Sequence, residues 1–434
     1  MGSKVAPTIN NLGTELGQRR RNLQHAAAPV AEQQRVQELD VLRGFALFGV
    51  LVGCFTEYIR FGLTATEEQL AALSTASVDP ISLFFVKLLV TDKANTLFAF
   101  LFGLGFSIQM QRMSARGADF EAIYLRRLFI LLVFGWIHML FIFPWDILHL
   151  YALMGLVLFA LRKRSDHFML VGGVLLALFG YMAGDWMVAQ TGVRELLASD
   201  SWYESAATLE RQSLAANGDY FGLTWHFVEM TWFDWIAGAG IVGFSLYALG
   251  RFMLGNWVGR QGWLQHAGRY MTGYRRWLWR CLPLGLALEL LSQAVAYAGN
   301  NGMLGADDSW ELGESALHMV ATPLISIGYL CAIVVGLQGG LGQRALRLLA
   351  PVGKMALTNY VLLGQIVVCS YYWFGLAGKV GITHVVGLSV VTFALQIAFS
   401  HWWMRSFLYG PLEWLWRGLT YGHWPQIRRR LSEQ

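Results

Sequence analysis

An ionisable side chain is expensive to keep inside an apolar stretch, so the histidines and carboxylates that interrupt such stretches are the first candidates for chemistry. The richest run extends from Gly135 to Tyr151. Only Pro144, Trp145 and Asp146 separate two apolar segments there, a spacing that predicts a tight hairpin at the outer face. His138 falls in the outer half of the first segment, while Asp146 and His149, three apart, cap the second. A carboxylate beside an imidazole orients the ring and raises its basicity, which suits an acid–base pair. Two histidines merely hydrogen-bonded to helix ends fit the spacing as well.

Further candidates are scattered along the chain. Asp40 and Arg43, at i,i+3, open the first apolar segment and can pair across one turn. Arg43 either snorkels to the surface as a topology marker or reaches for a phosphate, which its bidentate fork suits. Glu289 falls near mid-membrane and needs a partner or a proton; His318, entering the next segment from the outer side, can face it as a proton relay or a polar bridge. Lys354 and the polar pair Thr358 and Asn359 mark the inner end of another segment, with Gln365 deeper. Glu413 and Arg417 sit at i,i+4 on a helix expected to lie at the interface. Between Trp225 and Trp235 a tryptophan-rich stretch reads as an interfacial anchor, although His226, Glu229 and Asp234 could also share one face and line an outward cavity.

The elements that must position these residues are membrane helices. Of the 434 residues 55% are hydrophobic and only 14% charged, and mean hydropathy is +0.43, unlike an ordinary soluble domain. The pattern predicts an all-α polytopic bundle of about ten spans of roughly 20 residues each. These are Arg43–Ile59, Thr96–Met110, Leu128–Phe143, Ile147–Leu161, Phe168–Gln190, Trp235–Leu254, Trp279–Tyr297, Ala316–Leu337, Met355–Phe374 and His384–Met404. Ile81–Thr91 is too short to span and is expected to lie at the interface or re-enter. Residues 1–38 read as a flexible cytoplasmic arm and 39–422 as one transmembrane domain, split into halves 39–190 and 235–422 around an outer loop, 191–234. A basic tail, 423–434, follows.

Lysines and arginines fix the orientation. The segments around Arg126, Arg162, Arg260, Arg275, Arg344 and Arg428 are basic, whereas the opposite face holds only Arg60, Arg194, Arg211 and Lys379. Both termini are therefore expected in the cytoplasm, and a bacterial inner membrane is the expected location. The net charge of +5 gives no argument for nucleic acid; basic loops point to lipid headgroups instead. No signal peptide precedes the first span, which is expected to act as an uncleaved anchor. The four cysteines, Cys54, Cys281, Cys331 and Cys369, form no CxxC pair and read as buried free thiols, with neither a disulfide framework nor a metal site.

Several runs carry a family resemblance. The Leu-Thr-Asn-Tyr run ending at Tyr360, the string Gly410–Arg417, the opening Leu39–Ala46, the run Leu101–Phe106 and Asp146–Leu148 together resemble the YeiB-like family of bacterial membrane proteins, over roughly Arg35 to Gly422. The opening from Leu39 to Gly44 is also distantly similar to the transmembrane acyltransferase superfamily, which passes an acyl group from cytoplasmic acyl-CoA to an acceptor across the membrane. That resemblance implies that Asp40 and Arg43 lie near the acyl-donor pocket. Many of those enzymes carry a catalytic histidine eleven residues after the arginine, where this chain has Cys54. His149 with Asp146, then His138, then a Cys54 thiol are the candidates to replace it.

The leading expectation is thus a membrane acyltransferase. Arg43 and Lys354 engage donor phosphates, with Asp40 and Asn359 in the same donor site, His149 deprotonates an acceptor hydroxyl, and the acidic outer loop holds a sugar or lipid headgroup. Acyl-CoA is a co-substrate and no bound cofactor is expected. The rivals are a transporter or export factor with Glu289, His318 and Gln365 on a polar path, and a non-catalytic membrane partner.

Overall fold

A computed structural model describes residues 36–115, 120–192, 202, 204–237, 240–304, 309–338 and 342–429. Most of the expected arm and the last five residues lie outside them. The described chain is a bundle of helices, and no strand occurs among the described residues beyond one isolated bridge between Phe407 and Arg428.

The first helix, α1 (Gln37–Arg60), begins earlier than expected, because Glu38 and Asp40 in its first turn favour the positive end of the helix dipole. A short α2 (Glu67–Ala71) and α3 (Asp79–Leu89) precede α4 (Lys93–Ala115). A hairpin follows, α5 (Phe120–Phe141) with α6 (Leu148–Leu161), then α7 (Asp166–Ala189), α8 (Ser205–Ala216) and α9 (Tyr220–Met230). The second half holds α10 (Gly240–Gln261), the long pair α11 (Met271–Asn300) and α12 (Ser309–Gln338), the short α13 (Gln343–Arg347) and α14 (Ala350–Lys354), α15 (Ala356–Val368), α16 (Ile382–Ser406) and α17 (Pro411–Tyr421).

Six of the described helices are each long and apolar enough to cross a membrane, and the count is seven if the pair Gln343–Lys354 and Ala356–Trp373, bent by 84°, is one span. This is a membrane protein. The spans expected at Thr96–Met110, Ile147–Leu161 and Trp235–Leu254 correspond to α4, α6 and α10, which fall outside that set. At 14 residues α6 is too short, while α10 is pressed against both α4 and α7 inside the bundle and carries buried Arg251 and Asn256. Small residues allow that closeness. A Cβ on Gly250 would stand 2.4 Å from the Ala177 nitrogen, and one on Gly255 would collide with the Phe100 carbonyl oxygen, so the backbones themselves touch.

The segment Ile81–Thr91, expected to lie at the interface or re-enter, is largely the helix α3, which runs toward the middle of the bundle. Asp79, at the start of α3, accepts a hydrogen bond from the Thr383 nitrogen at the start of α16 (2.8 Å). At its other end the chain reaches Ala94, whose Cβ faces Gly49 near the middle of α1. The crossing made by α3 and α4 is therefore broken at mid-depth, around Asp92 with φ +61°.

Candidate functional site

A cavity of about 350 Å³ opens among α1, α4, α5, α15 and α17 at the arginine-rich end of the bundle. Arg43, Arg112, Arg127, Lys354 and Arg417 ring it, with Asp40 and Glu413 among them. Arg43 lies 3.5 Å from Asp40, and the Arg127 guanidinium sits 3.8 Å from the ring centroid of Trp416. Further in, the walls turn apolar with Phe98, Leu101, Phe102 and Leu131, and the floor is Leu148, Tyr151 and Tyr360.

The bend between α14 and α15 shapes this cavity. A Cβ on Gly353 would overlap the Asp40 carbonyl oxygen, so only glycine lets α14 seat against α1. The fresh amino terminus of α15 needs acceptors, and Glu413 supplies them from α17. Its carboxylate accepts from the Leu357 nitrogen (2.7 Å), the Thr358 nitrogen (3.1 Å) and the Thr358 hydroxyl (2.6 Å). The expected interfacial helix is present as α17, but Glu413 turns to this cap, while Arg417 lies 4.7 Å over the Tyr409 ring.

Behind the floor stands the hairpin cluster. The buried Asp146 carboxylate accepts from His138 Nδ1 (2.8 Å), His149 Nδ1 (3.1 Å), the His149 nitrogen (3.1 Å) and the Tyr360 hydroxyl (3.2 Å). Burial alone would raise this carboxyl, yet the bonds from both histidines outweigh it and hold the group below the usual range. An ionised carboxylate only accepts, so each Nδ1 carries a proton, and a ring in its neutral form has its basic lone pair at Nε2. Both Nε2 atoms are buried without a hydrogen-bond partner. Close packing holds the rings: a Cβ on Gly364 would lie 2.7 Å from His138 Nε2, and one on Gly135 would overlap the His149 nitrogen. Tyr360 joins the two regions, since its ring floors the cavity while its hydroxyl bonds Asp146 and accepts from the Ile147 nitrogen (3.2 Å).

The structure thus brings His138, Asp146 and His149 together, and Asp40, Arg43 and Lys354 together around the cavity. Asn359 is elsewhere. Its amide donates to the Val352 carbonyl (3.1 Å) and Ser400 (3.0 Å), so it braces the α14–α15 bend and does not line the cavity. Cys54 is half-buried on α1 and also not among the lining residues. Glu289 and His318 do meet, and Lys93 and Asp92 join them. Gln365 stays apart, donating to Cys369 Sγ (2.9 Å).

At the other end His226 points inward and accepts from the buried Arg211 (3.0 Å), whereas Glu229 accepts from Trp225 Nε1 (2.7 Å). These two therefore do not converge, and the Asp234 side chain lies outside the described residues. Burial and the neighbouring Arg211 guanidinium push the His226 imidazole below its ordinary range. Arg211 also donates to the carbonyls of Leu63 (3.0 Å) and Trp202 (2.8 Å), clasping α8 and α9 onto the loop after α1. Sequence reasoning singled out neither Arg211 nor Lys93. Tyr360 stood in the Leu-Thr-Asn-Tyr run, but its partner is 214 residues away.

A helical membrane protein with a cation-ringed cavity and a buried two-histidine carboxylate cluster is the class these observations define. Residues 258–423 match the family described as "Protein of unknown function (DUF418)". The chain is 28% identical to the uncharacterized protein YxaH of Bacillus subtilis (strain 168), over 93% of this chain and 98% of that protein. It is 25% identical to an uncharacterized 39.9 kDa protein in the amylase 3' region of Bacillus acidopullulyticus, over 91% and 96%. It is 28% identical to the uncharacterized protein YeiB of Escherichia coli (strain K12), over 89% and 96%. The resemblance to the YeiB-like family therefore holds along nearly the whole chain; none of these matches names an acyltransferase. No solved structure matches.

Proposed function

We propose that the protein is a membrane acyltransferase, taking an acyl group from cytoplasmic acyl-CoA to a sugar or lipid hydroxyl on the other side of a bacterial inner membrane. The observation that carries this reading is the continuity from a five-cation mouth, through an apolar cavity, to Tyr360 and the Asp146 carboxylate behind it. The arginine-rich end faces the cytoplasm by the positive-inside rule, with both termini on that side. Phosphates of the donor belong at Arg43 and Lys354, where charge-assisted bonds are strongest. The thioester then lies toward the floor.

The chemistry needs one base. His149 Nε2 takes the acceptor hydroxyl proton while Asp146 holds the opposite ring nitrogen and stabilises the imidazolium that forms. The hydroxyl oxygen bonds to the thioester carbonyl carbon, the carbon–sulfur bond breaks, and the imidazolium returns its proton to the leaving thiolate. His138, on the other carboxylate oxygen, is the alternative base. Tyr360 must move for either ring to reach the cavity. The transport reading loses one of its three markers, because Gln365 bonds Cys369 and not the Glu289 site.

The test is acetyl-CoA binding to the purified full-length chain in detergent, wild type against Arg43→Ala. Loss of one charge-assisted contact worth about 1.5–3 kcal/mol weakens binding about 10- to 150-fold. Well-folded wild-type protein that binds neither acetyl-CoA nor longer acyl-CoAs would sink the proposal.

A further inference from the structure

The broken crossing holds a second polar centre that the acyl-transfer reading does not use. Lys93 Nζ lies 3.0 Å from Glu289 Oε1, and both side chains are almost fully buried. His318 bridges onward: its Nδ1 is 3.0 Å from Glu289 Oε2 and its Nε2 is 3.1 Å from Asp92 Oδ2. Side-chain exposure rises along the chain, from 0% at Lys93 and 2% at Glu289 to 24% at His318 and 41% at Asp92. The backbone is built for this placement. The left-handed turn at Asp92 puts two consecutive ionisable residues at the break. Lys93 Nζ also donates to the Lys87 carbonyl near the end of α3 (2.6 Å), and Ser326 donates to the Lys93 carbonyl (3.1 Å).

Both nitrogens of the His318 ring face a carboxylate. A neutral imidazole has one N–H and one lone pair, so in that form a lone pair would oppose a carboxylate oxygen. With both nitrogens protonated, each donates to a carboxylate, and the directly bonded charges cancel: Lys93 and His318 against Asp92 and Glu289. Without that proton the four groups carry a net charge of −1 at bilayer depth, where an unbalanced charge is costly. Among the described residues the ring's hydrogen-bond partners are Asp92, Glu289 and the Thr322 hydroxyl (3.4 Å).

At longer range several titratable groups face the cluster without bonding the ring. They are Arg251 and Tyr247 of α10, Glu57 with its partner Arg60 at the end of α1, Lys87 of α3, and Glu314 and Tyr329 of α12. No group of three or more His, Cys, Asp or Glu able to hold a metal ion occurs among the described residues.

We propose that His318 is a proton-binding site, occupied as an imidazolium between Asp92 and Glu289 at neutral pH, which pins the α3–α4 break. The proton exchanges through the exposed Asp92 end. The hydrogen-bonded chain ends at Lys93 and a backbone carbonyl, so the site is one-ended and not a conduit. Its occupancy matters for the cavity, because α4 starts at Lys93 and walls the cavity from Phe98 to Met113. The inference does not depend on acyl transfer.

The experiment uses the full chain in lipid nanodiscs with ¹⁵N-histidine, read at pH 7.5, where an unperturbed histidine is about 10% protonated. The expected spectrum has both His318 ring nitrogens protonated in the wild type, with the signal assigned by its loss in His318→Gln. Glu289→Gln should weaken proton affinity at least tenfold, as removing an adjacent opposite charge does. A wild-type His318 with one unprotonated ring nitrogen at pH 7.5 overturns the proposal. In liposomes carrying an internal pH dye, the wild type should pass no more protons than empty vesicles. A flux abolished by Glu289→Gln would overturn the one-ended site in favour of a conduit.

Discussion

Replacing Asp146 by asparagine exchanges one carboxylate oxygen for an NH₂ group and should separate the two histidines. The wild-type carboxylate has four donors on it: His138 Nδ1 and Tyr360 on Oδ1, and the His149 nitrogen and Nδ1 on Oδ2. An amide offers one accepting oxygen. The His149 backbone N–H cannot become an acceptor, so the amide oxygen must occupy the Oδ2 position and the NH₂ group the Oδ1 position. His149 then keeps its tautomer. His138 must surrender its Nδ1 proton and carry it on Nε2, which ends its capacity to act as a base. Tyr360 can accept from the amide as it accepts from Ile147. The Tyr360 O–H loses its acceptor and the new His138 Nε2–H has none, so the cost is the loss of charge assistance together with these unpaired donors. Bonds to an ionised group are worth about 1.5–3 kcal/mol against about 0.5–1.5 for neutral ones. Burying an amide is cheaper than burying a charge, so a net destabilisation of about 1–3 kcal/mol is expected. ¹⁵N-histidine spectra report the tautomers directly, and thermal unfolding reports the stability. Under the acyl-transfer reading the rate falls about 10²-fold or more, because the imidazolium loses its counter-charge. A variant in which His149 flips and His138 does not, or wild-type rings already protonated at Nε2, would refute the geometry from which the argument starts.

Other expectations follow from single contacts. Glu413→Ala removes the cap of α15 and leaves two backbone N–H groups and a hydroxyl without their acceptor; a loss of about 1–3 kcal/mol in thermal unfolding is expected, and an unchanged midpoint would remove the cap from the account. Gly353→Ala sets a methyl group on the Asp40 carbonyl oxygen, so the α14–α15 bend must shift; acetyl-CoA binding should weaken along with stability, whereas Gly313→Ala, with open space around it, should do neither. Acidification should loosen the α8–α9 clasp. His226 is held below its ordinary value, so the unfolded chain binds its proton more readily. The contribution is then fully present above the ordinary histidine value and is lost as pH falls below it. Hydrogen exchange over residues 205–230, compared at pH 7.5 and 5.5 after correction for intrinsic rates, should rise on acidification, and His226→Gln should flatten that response.

What was legible in the sequence is what depends on neighbours in the chain. Pro144, Trp145 and Asp146 define their hairpin locally, and the hairpin alone returns His138 to a residue eight positions later, so the carboxylate with two imidazoles could be read from spacing. Glu289 and His318 were suspect because each stands alone in an apolar helix, and two antiparallel helices bring such residues level. The same logic misses what is assembled from distant segments. Asp92 and Lys93 directly follow the short apolar run Ile81–Thr91, and nothing near them in the chain marks them, because their partners stand on α11 and α12; only the break in the helix makes them half of an ion cluster. Asn359 shows the opposite failure. A polar residue at a helix entrance near Lys354 suggested donor contact, but the 84° bend between them turns Lys354 toward the cavity and Asn359 toward Val352 and Ser400. Glu413 and Arg417 had the spacing of a pair, yet a new helix terminus across the bend binds a carboxylate more strongly than a half-buried arginine one turn away that stacks on Tyr409. In each case the deciding object is a helix that stops inside the bundle. A broken helix exposes backbone groups that must be satisfied from elsewhere, and the residues that do so cannot be identified until the break is seen.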